Sequence, residues 1–163
     1  MENKEFQKIL LKTAVLAMTA DGQIHENELN EINKLAKEQN YFSEIDFKIE
    51  INELINKINL NYKEEYAKYF EFFENNYLSA VEIMLIFEVL TKITQADLVI
   101  TDEEKNFVRF MRKKFIYVPD EIFRARFGDN ELFKSDDNVI SFESIKLNLN
   151  NIDLKDFMGD ELK

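Results

Sequence analysis

Apolar residues recur at helical spacing along most of the chain. From Phe6 they fall at Ile9, Leu10, Leu16, Ala17 and Ala20, while Leu11, Val15 and Met18 supply a second apolar side, the pattern of a buried central helix. After a polar turn, Leu29, Ile32, Leu35 and Ala36 form a narrower stripe, which places the second helix at the surface. Ser43 is suited to cap a third helix in which Phe47, Ile51, Leu54, Ile55 and Ile58 keep the helical period. The alternation Ile45, Phe47, Ile49, Ile51 also suits a strand, but the period beyond Ile51 does not. Next, Tyr62, Tyr66, Tyr69, Phe70, Phe73 and Tyr77 make an aromatic stripe that reads as core packing rather than a ligand slot. Ala80 to Ala96 is apolar on nearly every side and is the second central helix. Phe107, Val108, Met111 and Phe115 follow as a stripe, with Arg109, Arg112, Lys113 and Lys114 complementing the negative end of their helix.

The turn between the first two helices recurs. Ala20-Asp21-Gly22-Gln23-Ile24-His25-Glu26-Asn27-Glu28 is matched by Ala96-Asp97-Leu98-Val99-Ile100-Thr101-Asp102-Glu103-Glu104, displaced by 76 positions from Asp21 to Asp97. At the same displacement Tyr41 meets Tyr117, Phe47 meets Phe123, and the helix-starting Ser43 meets Pro119. Residues 4–51 and 80–127 thus read as two copies of a three-helix unit, packed as a pseudo-twofold bundle in a domain spanning 1–127. The expected fold is all-α. From Gly128 the character changes, and 128–163 reads as an acidic C-terminal extension, packed on the bundle or ordered only on binding. Within it Ile145, Leu147 and Leu149 have strand-like spacing without a second strand to pair with.

Composition narrows the function. Only three Gly and one Pro leave few of the turns a sandwich or barrel needs. A formal charge of −11 repels phosphate backbones, so nucleic acid is not an expected partner, whereas cations and basic protein surfaces are attracted. With no Cys, disulfides and thiolate metal sites are excluded. The acidic start Met1-Glu2-Asn3-Lys4-Glu5 lacks the features of a secretory signal, and Ala80 to Ile93 is too short and too charged for a bilayer span. A cytoplasmic protein without a transmembrane segment is expected. One His, no Cys and no glycine-rich phosphate loop argue against an enzyme.

The repeated turn carries the remaining chemistry. Gly22 suits a left-handed helix cap, Ile24 and Ile100 point inward, and Thr101 with Glu104 forms a capping box, in which His25 with Glu28 is the less conventional counterpart. Lone His25 reads as a cap or solvent residue. Asp21 and Asp97 face the negative ends of their helices, which an Asx-type bond to the turn amides or a bound cation offsets. The pattern Asp-Gly-x-Ile-x-x-x-Glu matches the second half of an EF-hand loop, yet Ala17 and Thr19, and Ile93 and Gln95, stand where that loop needs oxygen ligands. An EF-hand is excluded. What remains is one shared oxygen site for Ca²⁺ or Mg²⁺ made by Asp21, Glu28, Asp97 and Glu104, beside the account in which these residues only cap and turn the chain.

An apolar helix ending Ala-Asp-Gly-x-Ile, an acidic helix start with Glu, and a second degenerate copy resemble the TerB-like family of tellurite-resistance-associated proteins. The resemblance covers roughly 4–127, with Thr19 to Glu28 carrying most of it; Leu98 and the extension after Gly128 depart from the pattern. It implies a helical bundle with an internal repeat, bacterial stress-response associations, an acidic surface suspected of binding divalent metal, here Asp21, Glu28, Asp97 and Glu104, and use beside membrane or chaperone partners. The expected function is a non-catalytic module that binds a divalent cation and engages a protein partner, with any membrane association made through that partner. The alternative is a stand-alone acidic adaptor or immunity-type inhibitor of a basic protein, with 128–163 as its binding surface.

Overall fold

The computed structural model describes residues 3–38, 41–97 and 99–134. These residues form six α-helices and one 3-10 turn, with no strand among them, so the described part of the chain is all-α as expected. The helices are α1 (Asn3–Met18), α2 (Glu26–Glu38), α3 (Phe47–Asn75), α4 (Ala80–Thr94), α5 (Asp102–Lys114) and α6 (Asp120–Phe127); the 3-10 turn is Glu131–Phe133. No helix among the described residues is long and apolar enough to cross a membrane.

α1 and α4 form the centre. Residues from Leu10 to Met18 are buried almost without interruption, and so are Ile83, Ile86, Phe87, Val89, Leu90 and Ile93, because both helices are covered on more than one side. They pack on each other more extensively than any other pair, with α3 laid along α1. α4 begins at Ser79, whose hydroxyl accepts from the Glu82 amide while Glu82 returns a carboxylate to the Ser79 amide. That reciprocal cap satisfies two amides that a helix start otherwise leaves open.

The third element differs from its sequence expectation at both ends. Ser43 is exposed in a turn, its Oγ taking a bond from Gln7 Nε2 at 3.3 Å, and the helix starts at Phe47 under Asp46, whose carboxylate accepts from the Ile49 amide at 3.2 Å. A carboxylate at the positive helix end is favoured, and buried Phe42 and Ile45 fix the turn ahead of it. The aromatic segment follows without a loop as the second half of α3. The join bends at Asn61, which leaves helical geometry at φ −159° and ψ 88°, while its Oδ1 accepts from the Glu64 amide and restarts the helix. Tyr66, Tyr69, Phe70 and Phe73 are buried as core, whereas Tyr77 lies beyond the helix and is exposed.

Two buried polar features hold the bundle in register. Tyr66 donates to the Leu16 carbonyl at 2.7 Å and meets Phe107 edge-on at 5.8 Å, tying the C-terminal end of α1 to α5. Arg112, read from sequence as dipole support, is 1% exposed. Its guanidinium donates to the carbonyls of Phe133, Phe115 and Val118 and to Asp120, all at 2.7–2.8 Å, and lies 4.1 Å over the Phe123 ring. It thus fastens the turn after α5, the start of α6 and the 3-10 turn to one point, using the fork of donors that only Arg provides. Phe133 completes this corner, buried against Phe87, Phe123 and Phe127. The rest of the expected extension, 135–163 with Ile145, Leu147 and Leu149, lies outside the described residues.

Candidate metal centre

The site grows from the way α1 and α4 end. α1 stops at Met18, and Thr19 and Ala20 continue fully buried, with the Thr19 hydroxyl bonded back to the Val15 carbonyl at 2.9 Å. Gly22 then adopts φ 80° and donates its amide to the Thr19 carbonyl at 3.0 Å, the left-handed turn expected for it. Ile24 packs partly buried against the core and sets the path into α2. The second turn follows buried Thr94 into Asp97 and Thr101, while Leu98, where the second glycine is missing, lies outside the described residues.

Asp21 makes the Asx-type bond that the sequence offered and adds a contact to His25. Its Oδ1 accepts from the Gln23 amide at 3.0 Å, an Asx-type turn, and its Oδ2 stands 2.7 Å from His25 Nε2. The other ring nitrogen, Nδ1, lies 3.9 Å from Asp97 Oδ2. Glu28 Oε1 takes the His25 amide at 3.4 Å. On the second turn, Thr101 accepts from the Glu104 amide at 3.2 Å, but the Glu104 carboxylate accepts from the Thr101 hydroxyl at 3.1 Å instead of reaching the Thr101 amide. The expected capping box is therefore half formed.

All four carboxylates singled out in the sequence lie in two groups here, around His25, which the sequence reads as a cap or solvent residue. Asp21, His25 and Glu104 bring ligand atoms within 4.8 Å of one another, and so do His25, Glu28 and Asp97. His25, the chain's single histidine, belongs to both groups. The sequence carries part of the signal, a His four residues after Asp21 within one acidic turn, but nothing that places it beside the second turn.

The electrostatics are those of acids crowded out of water. Glu28 and Glu104 are each 1% exposed, and the Oε2 atom of each is buried with no hydrogen-bond partner among the described residues. Burial pushes the Glu28 carboxyl from its ordinary 4.5 up to about 9, with the Glu104 charge adding to the effect and the His25 amide opposing it. Burial likewise pushes Glu104 up to about 7, against the bond from Thr101 and with the Asp21 and Asp97 charges adding. The hydrogen bond to Asp21 raises the His25 value above 6.5, although desolvation opposes it. Carboxylates in this state hold protons at neutral pH or neutralise their charge with a cation. Oxygen ligands of this kind suit divalent ions, and the two unpartnered oxygens supply acceptors that the fold itself leaves unused.

Compared with protein-family models, curated proteins and solved structures, the chain matches none.

Proposed function

We propose that the chain is a non-catalytic, TerB-like cytoplasmic module that binds a divalent cation between its two turns and engages a protein partner. The observation that carries the reading is the pair of buried, unpartnered Oε2 atoms of Glu28 and Glu104 inside an acidic cluster around His25. An unpaired buried acceptor is unfavourable by roughly 1–3 kcal/mol, more when charged, and a cation bound among these groups offsets that penalty. Asp21 and Asp97 complete the acidic set from the two helix ends.

The pseudo-twofold layout belongs to the same proposal. α1 and α4 end at Met18 and Thr94, and α2 and α5 run over 26–38 and 102–114, each pair displaced by the same 76 positions as the turns. α2 also packs on α4 as α5 packs on α1, the reciprocal contact that a twofold exchange requires. The third helices depart from it, since α6 starts at Asp120, whereas the position equivalent to Phe47 is Phe123. A cation at the pseudo-axis would join the two repeats where their central helices end.

Calorimetric titration with Ca²⁺ and Mg²⁺ of the full chain and of Asp21→Asn, Asp97→Asn and the double variant tests the shared site. Each single change is expected to weaken binding and the double change to abolish it; binding that none of these variants alters would remove the two turns from the account. The second reading, an acidic adaptor for a basic protein, is favoured by the −11 charge. A chain ending at Lys134, which keeps Phe133 in the core, separates the two: that reading requires lost partner binding with cation affinity retained.

A further inference from the structure

Resting on the cation-binding reading above, the geometry points to a first-row divalent transition metal, held by His25 Nδ1 with the carboxylates of Glu28 and Asp97, in preference to Ca²⁺ or Mg²⁺. The roles of the ring nitrogens follow from their neighbours. With Nε2 at 2.7 Å from Asp21 Oδ2, the neutral tautomer that donates its Nε2 hydrogen to that carboxylate leaves a lone pair on Nδ1, 3.9 Å from Asp97 Oδ2. A carboxylate that holds one imidazole nitrogen while the other faces a set of oxygens is the usual outer support of a metal-ligating histidine. Asp21 is then a positioning residue for the ring rather than a ligand.

The dimensions and donor types agree. An ion about 2.1 Å from each ligand atom spans at most about 4.2 Å between two of them. The 3.9 Å from Nδ1 to Asp97 Oδ2 lies inside that span, and the 4.8 Å limit on the whole group asks for closure of less than about 1 Å. Glu28 adds an independent sign of a ligand: its Oε1 is held by the His25 amide, leaving the buried Oε2 without a partner. Ca²⁺ takes about six to eight oxygens and Mg²⁺ dehydrates reluctantly, so neither gains from an imidazole nitrogen beside a buried carboxylate. Zn²⁺, Fe²⁺, Co²⁺ and Ni²⁺ accept nitrogen and oxygen together, and the absence of Cys removes the thiolates that would favour softer ions.

Full-length protein titrated with Zn²⁺ by calorimetry, with Co²⁺ by its visible absorption, and with Ca²⁺ and Mg²⁺ tests this. Zn²⁺ and Co²⁺ are expected to bind roughly 100-fold more tightly than Ca²⁺ or Mg²⁺, and Zn²⁺ to move the His25 Nδ1 resonance in the unaltered protein. His25→Gln should weaken Zn²⁺ and Co²⁺ roughly 100-fold and Ca²⁺ and Mg²⁺ far less, and Asp21→Asn should weaken Zn²⁺ about 10–100-fold. Ca²⁺ or Mg²⁺ binding as tightly as Zn²⁺, or an Nδ1 resonance that Zn²⁺ leaves in place, overturns this inference and leaves the divalent-cation reading standing. No binding by either class overturns both.

Discussion

Replacing Glu28 by Gln should stabilise the metal-free protein while depriving it of its ligand. Glu28 is 1% exposed and its carboxyl is pushed from 4.5 up to about 9, first by burial and then by the Glu104 charge. A folded-state value above the unfolded one means that the folded chain holds the proton more tightly. The stability this group contributes is therefore complete below about pH 4.5 and is lost as pH rises through about 9. At pH 7 folding must take up a proton across about 2.5 pH units, a penalty of about 3 kcal/mol at ~1.4 kcal/mol per unit. Gln carries no such penalty at any pH. Urea unfolding in chelator should show Glu28→Gln more stable than the parent at pH 7 by up to about 3 kcal/mol, with the gap shrinking toward zero as pH falls to 4.5. At saturating cation only the parent gains, by about 2.7 kcal/mol at a hundredfold excess over Kd. A gap of equal size at pH 5 and pH 8, or a parent more stable than the variant at pH 8 in chelator, would refute the reasoning.

Three further outcomes follow from the packing. Arg112→Met should lower the unfolding free energy by about 3 kcal/mol or more, because the carbonyls of Phe115, Val118 and Phe133 lose their donor together; Arg112→Lys should not restore it, and a loss below about 1 kcal/mol would contradict the fastening role. Tyr66→Phe should lower stability in urea by about 1 kcal/mol and weaken cation affinity, since the lost hydroxyl anchors the end of α1 just before Asp21; an unchanged affinity would separate the two features. Phe87→Ala should lower stability by about 3–5 kcal/mol in the same assay, because this fully buried ring packs edge-on against Phe115, Phe123 and Phe133, and a loss near 1 kcal/mol would mean that the corner collapses around the gap.

Much of this architecture is legible in the chain because burial on several sides leaves a pattern. α1 and α4 are apolar beyond a single stripe and lie at the centre, and the stripes of α2 and α5 predict Ile32, Leu35, Phe107, Val108 and Met111 as buried. Asp46 was hidden as a cap because Ser43 offered a similar signal, and only the burial of Phe42 and Ile45 decides between them. The bend at Asn61 has no periodic signature, as the apolar rows on either side remain helical. Arg112 reads from sequence like its basic neighbours, since nothing local reveals carbonyls arriving from Phe133, far along the chain. At the site, the repeat made Asp21, Glu28, Asp97 and Glu104 conspicuous. The central place of His25 depends on how the two turns meet, and residue spacing within one turn carries no distance to the other.

The most direct test of a single centre shared by both turns is titration of the full chain with Zn²⁺, and separately with Mg²⁺, followed through its backbone amide signals. The account predicts that amides around Asp21 to Glu28 and around Asp97 to Glu104 shift together along one binding curve, with saturation at one ion per chain. A response confined to one turn, or none in either, would contradict it.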